Sequence, residues 1–139
     1  MGRVLTQATI ENLEDIAVAK RGLLSPEQVR RVTVSDALVD TGSTLLALPT
    51  RLIRELGLTK KYTKRVTSTT GVSQADVYGP VQLTIEGREC PTDVTEIPDG
   101  VPVLIGQIPL EYLDFVVDPR GQRLIGNPAH GGEHTFELY

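Results

Sequence analysis

An all-β fold is predicted by three observations. Short apolar runs separated by turn signals fill most of the chain, one long segment alternates apolar and polar residues with a period of two, and helical periodicity is scarce. With 139 residues the chain is sized for one domain with a sizeable core.

The elements follow in order. Val4 to Asn12 and Ile16 to Ala19 read as strands, and Ser25-Pro26-Glu27-Gln28 caps a single helical turn before Val29 to Val34. An apolar strand, Ala37 to Val39, runs into Asp40-Thr41-Gly42-Ser43, and a second, Thr44 to Leu48, leads away. Pro49-Thr50 opens a short helix over Arg51 to Leu56, with Leu52 and Leu56 on one face and Gly57 as its stop. From Ala75 the apolar Val77, Val81, Leu83 and Ile85 alternate with Asp76, Gln82, Thr84 and Glu86, which makes this the clearest strand. Glu86-Gly87 or Gly87-Arg88 turns it back into Cys90 to Ile97, and Pro98-Asp99-Gly100 is the next turn. Val101 to Ile105 reads as a short buried strand, and Pro109 starts one or two helical turns carrying Leu110 and Leu113. Phe115 to Val117 and Arg123 to Ile125 flank the turn Asp118-Pro119-Arg120-Gly121. The tail from Asn127, with Pro128, Gly131 and Gly132, is expected to be mobile, with Thr135 to Tyr139 able to pair at a dimer edge.

Charge and composition exclude several classes of partner. A net charge of −4 carries no basic excess, so neither nucleic acid nor an anionic membrane is expected as the main partner. Met1 to Ile10 lacks the apolar run of a signal peptide, and no segment reads as membrane-spanning. The single cysteine, Cys90, cannot form an intrachain disulfide, which fits a reducing compartment, and a cytoplasmic protein is expected. Beside a hairpin turn, Cys90 reads as a small buried side chain rather than a reactive thiol. His130 and His134 lack the carboxylate or thiol spacing of a metal centre, so no metal is expected.

The chemistry-bearing stretch is Ala37 to Pro49. Asp-Thr-Gly-Ser is an ordinary turn composition, in which Asp bonds its own backbone two residues on. The apolar flanks favour a different use, because they draw the acid toward a core, where an ionised carboxylate needs partners. Gly42 permits a close approach of backbone, and the Thr41 hydroxyl can donate and accept across such a contact.

With its flanks, the stretch resembles the active-site loop of aspartic proteases: two apolar residues, then Asp-Thr-Gly-Ser-Thr. Val103-Leu104-Ile105-Gly106, followed by Leu110, resembles the apolar-apolar-Gly motif that lies behind the catalytic turn in that clan. The resemblance runs from about Ala37 to Ile125 and is most like the single-lobe, retroviral-type (retropepsin-like) cellular proteases of bacteria and archaea. It implies a closed-barrel-like acid protease lobe over residues 1–126 with one or two short helices, followed by the tail at 127–139.

The resemblance also implies a reaction. The chain holds no second Asp-Thr-Gly or Asp-Ser-Gly, so the partner of Asp40 is expected from a second copy in a two-fold homodimer. Asp40, Thr41 and Gly42 take the catalytic positions, with Ser43, Ile105 and Gly106 as structural support, and no cofactor is called for. The segment between the motifs becomes the flap: Lys64 to Ser68 rises, Gln74 to Tyr78 descends, and the tip lies near Thr69, Thr70, Gly71 and Val72. The substrate is then an extended peptide or protein segment held by strand-like bonds. Leu38, Ala47, Thr70, Gly71, Val72, Pro102 and Leu104 are placed near it, with core packing an equal reading for Ala47 and Leu104. Retroviral enzymes usually carry an acid where Thr44 or Leu45 stands and an arginine where this chain has Gln107, so both partners of that ion pair are replaced together.

Overall fold

In the computed structural model, which describes residues 3–137, the chain forms a seven-stranded sheet closed into a ring. The strands are β1 (Leu5–Asn12), β2 (Arg31–Val39), β3 (Leu46–Pro49), β4 (Thr59–Ser68), β5 (Gly71–Ile85), β6 (Arg88–Ile97) and β7 (Leu104–Ile105). Their order is β1-β2-β7-β3-β6-β5-β4, and an added pairing of β1 with β5 joins six of the seven into a barrel. Among the described residues, β4 alone in this sheet has a neighbour on just one side. A separate hairpin pairs β8 (Phe115–Asp118) with β9 (Arg123–Gly126).

The period-two alternation of β5 produces this closure. Val77, Val81, Leu83 and Ile85 all point into the core, where they are buried. Val81, Leu83 and Ile85 share one cluster with Ile10 from β1, Leu46 and Leu48 from β3, Val94 from β6 and Ile105 from β7. Burying each such side chain contributes about 1.5–3 kcal/mol. The turn into β6 is Glu86-Gly87, because Ile85 pairs with Arg88 and both turn residues take positive φ. All four residues of β3 are buried, as expected of a strand with a parallel neighbour, β6, and covered faces.

Helix is more abundant than expected. Three α-helices, α1 (Leu13–Lys20), α2 (Thr50–Glu55) and α3 (Gln107–Leu113), replace the one or two of the sequence reading, with 3-10 turns at Pro26–Gln28 and Pro128–His130. Ile16 to Ala19 therefore belongs to α1 and not to a strand. Its cause is Asn12, whose Oδ1 accepts from the Asp15 N–H at 3.0 Å as an N-cap while its Nδ2 donates to the Leu56 carbonyl at 2.9 Å. Asp15 then takes a two-pronged bond from Arg30, Nε to Oδ2 at 2.8 Å and Nη2 to Oδ1 at 3.0 Å. The Arg30 guanidinium holds the Asp15 carboxyl below its ordinary range, against the opposing effect of burial.

Smaller differences have local reasons. Thr44 and Leu45 lie in the loop before β3, and of Val101 to Ile105 only Leu104 and Ile105 pair as strand. Gly106 is the N-cap of α3, so the helix begins at Gln107 and Pro109 lies inside its first turn, where its missing N–H costs nothing. Thr50–Glu55 is helical, with Leu52, Ile53 and Leu56 buried and Gly57 at φ +63° ending it.

The tail makes contacts that the sequence reading did not include. Asp114, buried at the end of α3, accepts from the Thr135 N–H (3.1 Å) and Asn127 Nδ2 (3.2 Å) and bonds His130 Nδ1 at 2.7 Å. Arg88 reaches the carbonyls of Leu113 and Asp114, both at 2.9 Å, and that of Gly132 at 2.5 Å. These contacts join residues 127–135 to the end of α3 and the start of β6. Of the segment Thr135 to Tyr139, residues 138 and 139 lie outside the described residues.

Candidate active site

β7 lies between β2 and β3, parallel to the first and antiparallel to the second. The loop joining β2 to β3 must therefore arch over the end of β7, and Asp40 stands at its start. The Asp40 N–H donates to the Ile105 carbonyl at 2.9 Å, which extends the pairing of β2 with β7 to the acid itself. Across the arch, the N–H groups of Gln107 and Ile108 donate to the carbonyls of Ser43 (2.8 Å) and Thr44 (3.0 Å).

Gly106 makes this contact possible. A Cβ there would overlap the Leu45 carbonyl oxygen and stand 2.7 Å from the Ser43 oxygen and the Thr44 carbonyl carbon. Its φ of −87° suits any residue, so glycine is required here for space and not for conformation. The apolar-apolar-Gly motif is thus the floor on which the Asp40 loop rests, which explains the pairing of two motifs so distant in sequence.

The carboxylate is held from one side. Its Oδ1 accepts from the Gly42 N–H at 3.0 Å and its Oδ2 from the Ser43 hydroxyl at 3.2 Å, while the Ser43 N–H closes the turn on the Asp40 carbonyl at 3.0 Å. The ordinary Asp turn is therefore present, and it orients the acid. Each oxygen keeps acceptor capacity for a further partner. Asp40 is half-buried, and Thr41 beside it is exposed.

A groove of about 600 Å³ opens next to the loop. It is lined by Gly42 to Leu45 of the loop, by Ala47 and Leu104, by Thr95 to Pro98 at the end of β6, and by the β4–β5 hairpin from Lys64 to Ser68 and Ser73 to Ala75. Ser68 pairs with Gly71, so Thr69 and Thr70 form the hairpin tip, and Gly71 has φ +123°. Of the residues expected near substrate, Ala47 and Leu104 line the groove. Thr70, Gly71 and Val72 are exposed at the tip, beyond its lining, and Pro102 is exposed on the loop before β7. Leu38 is half-buried in β2, paired with Leu104. Asp40 and Thr41 adjoin the groove through Gly42.

Sequence reasoning missed Lys64, Arg65, Thr95, Glu96 and Ile97 as groove residues. Lys64 and Arg65 were placed on the rising arm of the hairpin, and their strand positions opposite Ala75 and Gln74 bring that arm to the groove. Gln107, in the place of the retroviral arginine, donates from Nε2 to Glu111 Oε1 at 2.8 Å within α3. His130 bonds Asp114 and Glu137, and His134 bonds the Tyr112 carbonyl, so both histidines fasten the tail.

No curated protein matches the chain. A family model described as aspartyl protease matches residues 28–108, more than half of the chain, and this match takes in the Asp40 loop, the hairpin and the Gly106 motif. The chain accordingly belongs to the retropepsin-like aspartyl protease family.

Proposed function

We propose that this protein is an aspartic endopeptidase that acts as a homodimer, with one Asp40 from each subunit. The observation that carries this reading is the single Asp40 carboxylate, oriented by Gly42 and Ser43 on a buttressed loop at the mouth of a groove. A two-fold axis beside that loop would bring each Asp40 against its own equivalent. Two carboxylates in one site share a proton, as aspartic proteases are known for doing. The ionised member draws a proton from a water held between them as that water attacks the scissile carbonyl. The protonated member polarises the carbonyl oxygen and then serves in protonating the leaving amine.

The remaining residues have supporting roles. Thr41, exposed in the protomer, is available to bond across the axis, and Gly42 leaves room for substrate backbone. An extended peptide would lie along the groove, with the hairpin tip at Thr70, Gly71 and Val72 closing over it and Leu38, Ala47, Pro102 and Leu104 toward its side chains. A reducing compartment such as the cytoplasm suits a protein whose one cysteine is free and buried. No helix among the described residues is long and apolar enough to cross a membrane.

The test is turnover of an unstructured protein substrate by the native chain and by Asp40→Asn. Acid-favoured cleavage by the native chain, with specific activity that falls on dilution, is expected, and Asp40→Asn should lose cleavage while keeping the circular dichroism of the fold. Cleavage undiminished in Asp40→Asn would overturn the mechanism. Peptide affinity without turnover between about pH 3 and 7, the range in which a carboxylate pair titrates, would instead identify a binding module.

A further inference from the structure

Strand register sets three groove residues in a row. Leu104 of β7 stands opposite Ala47 of β3, and Ala47 stands beside Thr95 of β6, so the three share one face of the sheet, and all three line the groove. Ile105, Leu46 and Val94 form the adjoining row in the same register and face the other way, into the core. Ala47 is buried but stands outside the core cluster, which fits its place on the groove face. Strands on either side of β3 are about 10 Å apart, so the small Ala47 leaves a slot between Leu104 and Thr95, about one side chain wide. One side of that slot is apolar and the other carries a hydroxyl. Several threonines of the sheet engage their hydroxyls within the chain: Thr9 and Thr33 bond each other at 3.0 Å, Thr63 donates to Asp76 at 2.8 Å, and Thr92 donates to the Asp93 carbonyl at 2.9 Å. Among the described residues the half-buried Thr95 hydroxyl has no such partner, and no side-chain oxygen is sealed away unpaired, so this one opens onto the groove.

We infer that Thr95 is a specificity-determining residue: the slot over Ala47 takes a short substrate side chain with a hydrogen-bonding group, such as Thr, in preference to its apolar isostere. This rests on the proposed use of the groove for an extended peptide, and it names the class of side chain one subsite takes. A side chain entering the slot displaces water from the Thr95 hydroxyl. An apolar occupant leaves that hydroxyl unpaired under cover, whereas a Thr replaces the lost bond and packs its methyl toward Leu104. A site built around a polar group rejects an analogue that lacks the matching group more strongly than an apolar site rejects an added hydroxyl. Because Thr95 is only half-buried, the discrimination is roughly tenfold and not larger. β3 lies two strands from β2, which leads into Asp40, a span of about 10 Å. The selected side chain therefore lies within about three residues of the peptide bond over Asp40.

Binding can be read apart from catalysis in Asp40→Asn. Fluorescent peptides are compared by anisotropy, each with the same apolar centre and with the three positions on either side of it set in turn to Thr or to its isostere Val. At one of these positions, or at one on each side where two subunits share the peptide, Thr is expected to bind roughly tenfold tighter than Val. Adding Thr95→Val, which keeps the shape and removes the hydroxyl, should invert the preference at that position alone. Adding Thr95→Ser, which keeps the hydroxyl, should retain it. Equal affinities at every position, a preference unmoved by Thr95→Val, or no binding of any peptide would overturn the inference. Turnover by the native chain is scored separately. Cleavage indifferent to Thr or Val sinks the inference and leaves the protease reading, whereas Thr-selective binding with no turnover supports the inference and sinks the protease.

Discussion

Gly106→Ala is the sharpest perturbation of the Asp40 loop, because it adds one methyl group where the chain has no room for it. The new carbon would overlap the Leu45 carbonyl and lie 2.7 Å from the Ser43 oxygen, so the arch must lift by several tenths of an ångström. Overpacking of this kind costs about 1–3 kcal/mol. Lifting the arch also strains the bonds from Gln107 and Ile108 to Ser43 and Thr44, each worth about 1 kcal/mol net. Replacing glycine returns about 0.4–1 kcal/mol through the unfolded chain. The sum is a loss of about 2–4 kcal/mol. Urea unfolding followed by circular dichroism reads it: with a slope of roughly 2 kcal/mol/M, the midpoint should fall by roughly 1–2 M. Gly100→Ala is the control, since a Cβ there meets nothing within 4 Å, and it should stay within about 0.5 kcal/mol of the native protein. Equal midpoints for the two variants would refute the claim that Gly106 is the floor of the loop.

Other expectations follow from the same structure. Asn12→Ala should cost about 2–3 kcal/mol in the same unfolding assay, because it removes the cap of α1 and strands the Leu56 carbonyl; a loss below about 0.5 kcal/mol would contradict that role. Burial pushes the Cys90 thiol up to about 11, so it should resist alkylation at pH 8 until the protein is unfolded, and rapid native-state labelling would show the site to be open. The tail should loosen at both ends of the pH scale. Bonds to Glu137 and Asp114 raise His130 above its ordinary range, so its contribution is full below its unfolded value and lost as pH rises through the raised one. Burial pushes the Asp114 carboxyl up, but the bonds from His130, the Thr135 N–H and Asn127 outweigh it and hold the group low. Its contribution is present above the unfolded value and lost as pH falls through the depressed one. Limited proteolysis at residues 127–137 should therefore increase in alkaline solution and again in strong acid. An alkaline rise that persists unchanged in His130→Ala would rule out the histidine as its cause.

Local pattern and non-local contact divide what was readable in the chain. The alternation of Val77, Val81, Leu83 and Ile85 reports burial on one face of a strand, and β5 follows it residue by residue. The Asp40 turn and the Gly106 motif were legible as a pair through their resemblance to a family pattern, and the structure supplies its physical reason: the loop crosses so close over the strand end that only glycine fits beneath it. Ile16 to Ala19 was misread because four apolar or small residues fit a strand or a helix equally well. The deciding signal was polar: Asn12 with Asp15 three residues on, a capping pattern that the apolar run obscured. The contacts of the tail were hidden for the opposite reason. Its glycines and proline describe a pliable backbone, while its order comes from Asn127, His130 and Thr135 converging on Asp114, a meeting of residues that composition does not record. The groove lining at Lys64, Arg65 and Glu96 was hidden similarly, since it depends on which wall of the barrel each strand joins.

Closure of the ring leaves β4 as the one strand of the main sheet with a bare side. An unpaired strand edge is a template for any extended chain, including another molecule of the same protein, and uncontrolled pairing there leads to aggregation. Here that edge belongs to the hairpin that walls the groove. In the proposed protease, capture of a guest chain and resistance to self-association would therefore fall to the same ten residues, Thr59–Ser68, four of which are cationic. On that proposal, a substitution that made this edge more apolar would raise peptide affinity and lower the solubility of the protein together, coupling the two properties.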